Sequence, residues 1–172
     1  AANQNDPKAQ CNLGFIYYER KYVERDIKKA IYYYSLAANQ NHPKAQTQLG
    51  FFYYKGEYVE RDINKAIHYF SLAANQNDPR AQYQIGLIYE EGEYVERNIN
   101  KAILYLSLSA GRSISQAQIT LGSLYLMGKY VQRDENKAIH YFTLAAHKNN
   151  PRAQFILGML HYIGDYFKQN AN

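Results

Sequence analysis

Residues 42–77 read HPKAQTQLGFFYYKGEYVERDINKAIHYFSLAANQN. The preceding segment, Asp6 to Asn41, matches it at 26 of 36 positions, far more than composition produces, so the chain is first of all a repeat array. The registers run without gaps. Residues 1–5 end a preceding unit, 6–41, 42–77, 78–113 and 114–149 are full copies, and 150–172 is a shortened fifth. A unit of 36 residues cannot bury an apolar face alone, so the reading is a single array over 1–172 with an all-α, right-handed superhelical solenoid fold.

Each copy holds two helical patterns, in residues 42–77 one from Pro43 to the tyrosines and one from about Ile63 to Gln76. Pro7, Pro43, Pro79 and Pro151 suit a first helical position, with Asp6, Asp78 and Asn150 before them as caps. The fourth copy lacks the proline, and Ser115 is the expected cap there. Asp26, Asp62, Asn98 and Asp134 announce the second helix by accepting its free amides. Gly56, Gly92, Gly128 and Gly164 fall where a left-handed cap ends the first helix, and Arg20 replaces that glycine in the first copy.

At 100° per residue, the near-constant residues of the first helix share one side. In residues 42–77 they are Ala45, Gln46, Leu49, Gly50 and Tyr53, joined by large apolar Phe52. The varied residues point the opposite way, onto what stacked hairpins leave as an inner, concave strip. This strip is the expected partner-binding groove: Lys8, Phe15, Lys44, Gln48, Phe51, Lys55, Arg80, Gln84, Leu87, Glu91, Thr120, Met127, Arg152 and Met159. Phe15, Phe51, Leu87 and Met159 supply apolar contact, and Lys8, Lys44, Arg80 and Arg152 a basic border. Two further rows, Cys11/Thr47/Tyr83/Ile119/Phe155 and Tyr18/Tyr54/Tyr162, fit either the strip or packing against the next unit. On the second helix, Ile63, Ala66, Ile67, Phe70, Ala73 and Ala74 form one buried stripe and Tyr69 and Leu72 a second.

Taken together, A-x-x-x-L-G-x-x-Y, a glycine turn and D-x-x-K-A-x-x-Y-x-x-x-A-A resemble the Sel-1-like repeat, a relative of the tetratricopeptide repeat. Ala45, Leu49, Gly50, Tyr53, Gly56, Val59, Asp62, Lys65, Ala66, Tyr69, Ala73 and Ala74 carry the match in one copy, and the likeness spans essentially the whole chain. The chain departs from the family where Tyr22, Tyr58, Tyr94 and Tyr130 replace a second turn glycine, so their rings are expected to tuck against the following hairpin. It departs again where Asn41 and Asn77 replace a glycine near the unit's end, a position Asn tolerates. The resemblance implies an adaptor that holds protein partners in signalling, membrane-associated degradation or cell-wall synthesis complexes. A cysteine-rich branch connected with penicillin binding relies on disulfides that the single Cys11 cannot form.

Composition and spacing exclude most chemistry. No H-E-x-x-H pair, phosphate-cradling glycine loop or nucleophile beside a base occurs, so neither an enzyme nor a cofactor is expected. His161, in place of the recurrent tyrosine, reads as a packed, hydrogen-bonded ring, and Cys11 as a filler. A net charge of +5 and 19 tyrosines make RNA or DNA the rival partner class. Against it, Arg25, Arg61 and Arg97 each follow a glutamate, a pattern of local neutralisation. A structural spacer working through edges and ends is the remaining alternative. No apolar run has membrane-spanning length, and the absence of glycosylation sequons favours an intracellular home. Residues 1–5 and the incomplete fifth copy read as cuts within a longer array.

Overall fold

The computed structural model describes residues 5–19 and 24–169, with side chains through 163. Among them every regular element is a helix: α1 (Pro7–Tyr18), α2 (Ile27–Asn39), α3 (Pro43–Lys55), α4 (Ile63–Asn75), α5 (Pro79–Glu91), α6 (Ile99–Gly111), α7 (Ser115–Met127), α8 (Glu135–Ala146) and α9 (Pro151–Gln169). They form two compact units, Ala1–Ile85 and Gly86–Asn172, with the boundary inside α5. In the first, α1 packs on α2, α2 on α3, and α3 on α4; in the second, α6 packs on α7, α7 on α8, and α8 on α9.

Each hairpin closes by setting a large side chain of its second helix against a bare glycine of its first. A Cβ on Gly50 would stand 2.6 Å from ring atoms of Phe70, and one on Gly14 2.8 Å from Tyr34. In the second unit Gly86 faces Leu106 and Gly122 faces Phe142 at similar range. The opposing side chains are almost wholly excluded from solvent, so this crossing is the core of every hairpin.

A second layer is built on Asp-x-x-Lys. Oδ1 of Asp62 accepts from the Lys65 amide at 2.9 Å, and its other oxygen pairs with Lys65 Nζ at 3.3 Å. The same ammonium lies 5.2 Å from the centre of the Tyr53 ring, which stacks on Tyr69 at 5.9 Å and 8°. Asp26, Lys29, Tyr17 and Tyr33 repeat the arrangement, as do Asp134, Lys137, Tyr125 and Tyr141. With neutral Asn98 as the cap, Lys101 keeps its amide bond and its place over Tyr89.

The turns follow from backbone stereochemistry. Gly56, Gly92 and Gly128 have φ of 67°, 69° and 64°, and a Cβ there would also strike the Cβ of Arg61, Arg97 or Arg133. Between hairpins, Asn41, Asn77, Ser113 and Asn149 adopt the left-handed conformation. Beside these turns the recurrent glutamine is a clamp rather than filler: Gln46 Nε2 donates to the Ala38 carbonyl, while its Oε1 accepts from Gln76 Nε2 at 2.8 Å. Gln10 likewise accepts from Gln40. In the second unit Gln118 Nε2 reaches the Ala110 carbonyl, but its Oε1 is buried without a partner, because Lys148 stands where the first copies carry Gln40 and Gln76.

Several expectations need correction. Gly164 ends no helix, since α9 continues through it to Gln169. Ser115 is the first helical residue of α7, and Ile114 before it occupies the cap position with no side-chain bond. His161 is exposed, not packed. Leu108 and Leu144 are exposed at 44% and 37%, so the second apolar stripe of the second helices is only partly covered. The Tyr58 ring packs against Tyr18 of the preceding hairpin, not the following one, and Tyr130 lies under Arg97 of the preceding turn. Arg20 and Tyr22 lie outside the described residues.

These contacts set three expected outcomes. Gly50→Ala gains about 1 kcal/mol in helix propensity but overpacks a fully buried ring at a cost of about 1–3 kcal/mol, whereas Gly158→Ala meets nothing within 4 Å. Denaturant melts should therefore show the first variant destabilised and the second stabilised. Lys148→Gln supplies the missing donor to Gln118 and should raise stability by about 1 kcal/mol in the same assay. The carboxyls of Asp26, Asp62 and Asp134 are held below their ordinary range, chiefly by the amide bonds of their caps. A depressed folded-state pKa contributes stability above the unfolded value of about 3.9 and loses it as pH falls through the folded value. Melting temperature should thus drop in acid, with a shallower acid limb in the triple Asp→Asn variant.

Candidate functional site

In the first unit, the varied face of α1, α3 and the start of α5 divides by burial. Cys11 and Thr47 are interred against neighbouring hairpins and Tyr83 is half-buried, so this row belongs mainly to packing. In the second unit Ile119 is likewise buried, and only Phe155 of that row is exposed. The physical reason is packing between hairpins: Cys11 belongs to one buried cluster with Ala45, Leu49 and Phe52 of the next hairpin. What stays accessible is narrower: Lys8, Lys44, Lys55 and Arg80 are exposed, Phe15 is 52% exposed, and Gln48, Phe51 and Gln84 are half-buried.

Several of these residues converge on a hollow of about 460 Å³. Buried Cys11 and Tyr34 form its floor, Phe15, Tyr18 and Gln48 its walls, and Asn12, Glu19, Lys44 and Arg80 its rim. Burial pushes the Cys11 thiol up in pKa, and Lys44 and Arg80 oppose that push, so both cations act on the floor. Burial also raises the Tyr34 hydroxyl, which is hydrogen-bonded to Gln48. A smaller hollow of about 180 Å³ shares Tyr18 and Gln48 and is completed by Phe51, Phe52 and Tyr58, with Lys55 and Glu57 beside it. The ion pairs among the described residues involve neither Lys44 nor Arg80.

Sequence reasoning named Phe15, Lys44, Gln48, Phe51, Lys55 and Arg80 but missed Tyr34 and Tyr58. A signal existed for Tyr34: its counterparts Phe70, Leu106 and Phe142 carry no hydroxyl, so the first copy alone has a polar tip at that buried place. Lys8 and Gln84 line neither hollow. In the second unit Glu91, Met127, Arg152 and Met159 are exposed, and Leu87 and Thr120 are half-buried. The Thr120 hydroxyl is turned back to the Gln116 carbonyl of its own helix. Phe155 and Met159 give α9 an apolar exposed flank together with Tyr162 and Ile163.

The turn arginines are engaged differently from what their sequence neighbours suggest. Arg25 lies over the rings of Tyr18 and Tyr58 and donates to the Tyr58 hydroxyl. Arg97 donates to the carbonyls of Glu90 and Glu91 at the end of α5, and Arg61 to that of Tyr54. Main-chain carbonyls and rings, rather than the preceding glutamates, therefore hold this basic charge. Among the described residues no group of three or more His, Cys, Asp or Glu could hold a metal ion, and no helix is long and apolar enough to cross a membrane.

The Sel1 repeat family model matches residues 7–42, 43–78, 79–112, 115–150 and 151–172. A Sel1 repeat protein from Oxalobacter formigenes is 36% identical, with a TM-score of 0.87 over 93% of this chain and 65% of its own. A protective antigen of uropathogenic Escherichia coli with the same repeat fold is 29% identical, with a TM-score of 0.87 over 95% of this chain and 35% of its own. Helicobacter pylori cysteine rich protein B is 28% identical, with a TM-score of 0.60 over 81% of this chain and all of its own. The chain thus spans less than two thirds of the first two relatives' length. No curated protein matches it significantly. Five repeat matches that together cover nearly every residue place this chain in the Sel1 repeat family.

Proposed function

We propose that this chain is a non-catalytic adaptor that binds a protein partner on the accessible face of its first helices. Sel1 repeats are in general protein-interaction scaffolds. The observation that carries the reading here is the hollow of the first unit, where exposed Phe15 stands beside Lys44 and Arg80, two cations that form no ion pair among the described residues. An apolar surface next to unneutralised charge gains free energy when a complementary chain covers it. Nucleic acid is a poorer occupant, because the turn arginines are bound to carbonyls and rings and Glu19 and Glu57 sit beside the hollows.

A spacer working through edges and ends is favoured by a different observation, the exposure of Tyr32 on α2 of the first unit and of Leu104 and Leu108 on α6 of the second. Photocrosslinking separates the two. A benzophenone side chain replacing Gln48 in the native protein, in its own cells, is expected to give protein adducts, and one replacing Leu108 is not. Adducts from Leu108 alone would transfer the function to the second helices, and adducts from Gln48 to nucleic acid alone would reverse the partner class.

A further inference from the structure

We infer that the two adjoining hollows of the first unit receive one extended partner segment, an internal Asp or Glu side chain entering between Lys44 and Arg80 and an apolar side chain two residues along entering between Phe51 and Tyr58. The inference rests on the adaptor reading and names the chemistry that the reading leaves open.

Charge selects the first occupant. Lys44 and Arg80 come from neighbouring first helices, α3 and α5, and line one hollow in which Glu19 is the lining carboxylate. Because both act on the buried Cys11 thiol, their field reaches into the hollow rather than only outward to solvent. A single carboxylate fits two cations against one anion. A polyanion would need a longer basic track and would meet Glu19 and Glu57, so neither nucleic acid nor an anionic lipid surface suits this site.

Shape selects the second. The smaller hollow is walled by aromatic rings, with Phe52 buried behind Phe51 and Tyr58, and it shares Tyr18 and Gln48 with the larger one. Adjacent hollows on one face suit an extended segment, in which residues i and i+2 point the same way at about 6.6–6.8 Å spacing. Such a segment sends alternate side chains down and keeps its backbone at the rim. A chain-terminal carboxylate would stay with the backbone, so an internal acidic side chain is the fitting donor.

The test selects peptides from a phage-displayed random dodecapeptide library on the folded chain and remakes the enriched sequences with a fluorescein label and an amidated C-terminus. Enrichment of Asp or Glu two residues from Leu, Ile, Phe or Tyr is expected. In fluorescence polarisation, replacing that peptide Glu by Gln, or combining Lys44→Glu with Arg80→Glu in the protein, should weaken binding at least about fivefold. A peptide carrying Lys in place of the acidic residue should recover affinity for the charge-reversed protein, a rescue that a merely structural role for the two cations would not produce. Phe51→Ala should erase the preference for the apolar residue. Binders indifferent to Glu→Gln, to the charge reversal or to Phe51→Ala, or binders lost on C-terminal amidation, would overturn the inference while leaving the adaptor reading standing. A library that yields no binder overturns the inference, and Gln48 crosslinks then decide the adaptor reading separately.

Discussion

The structure depends on one steric constraint: a glycine in the middle of each first helix lets a bulky side chain of the second helix press onto bare backbone. Gly50 beneath Phe70 and Gly122 beneath Phe142 bring the two axes closer than any residue with a Cβ would allow. Close approach extends contact along the hairpin, and the two tyrosines beyond the crossing can then lie face to face. Their stack in turn gives the lysine of the second helix a ring to cover while its amide and ammonium hold the cap. The cap itself is local to the second helix, and the stack and the cation over it are what join that cap to the first helix.

That division of labour explains why one face can vary. Hairpin closure uses the glycine seam and the tyrosine pair, the glutamine clamp ties each unit to the one before it, and the row of Cys11, Thr47 and Ile119 is buried. Once those duties are assigned, Lys44, Lys55, Phe15 and Arg80 carry little of the fold's stability. Their identity is open to selection by whatever they touch. In the first copy a hydroxyl on Tyr34, where the other copies carry Phe70, Leu106 and Phe142, and a thiol at Cys11 line the larger hollow.

Most of the fold was legible in the sequence because it is stated several times over. The 36-residue period, the cap aspartates and the turn glycines each recur, and helix ends predicted from Pro43, Asp62 and Gly56 agree with the structure to within a residue or so. The candidate site was less legible, because a helical wheel assigns each residue to its own helix's faces and knows nothing of what the next hairpin covers. Cys11 and Phe15 look equally outward on the wheel, yet one is 8% exposed and the other 52%. The ring of Tyr58 was hidden for the same reason: which hairpin a turn residue leans on is decided by Arg25, 33 residues earlier, and no local pattern records it.

The glutamine clamp carries a consequence for how such a chain can change length. Gln46 grips the carbonyl of Ala38 in the unit before it and is itself gripped by Gln76 at the end of its own unit. A whole period inserted at such a joint brings both halves of the grip with it, whereas a break of another size separates them. Growth by entire copies keeps the double grip where it exists, and the bare oxygens of Gln82 and Gln118 mark joints that hold by the carbonyl bond alone.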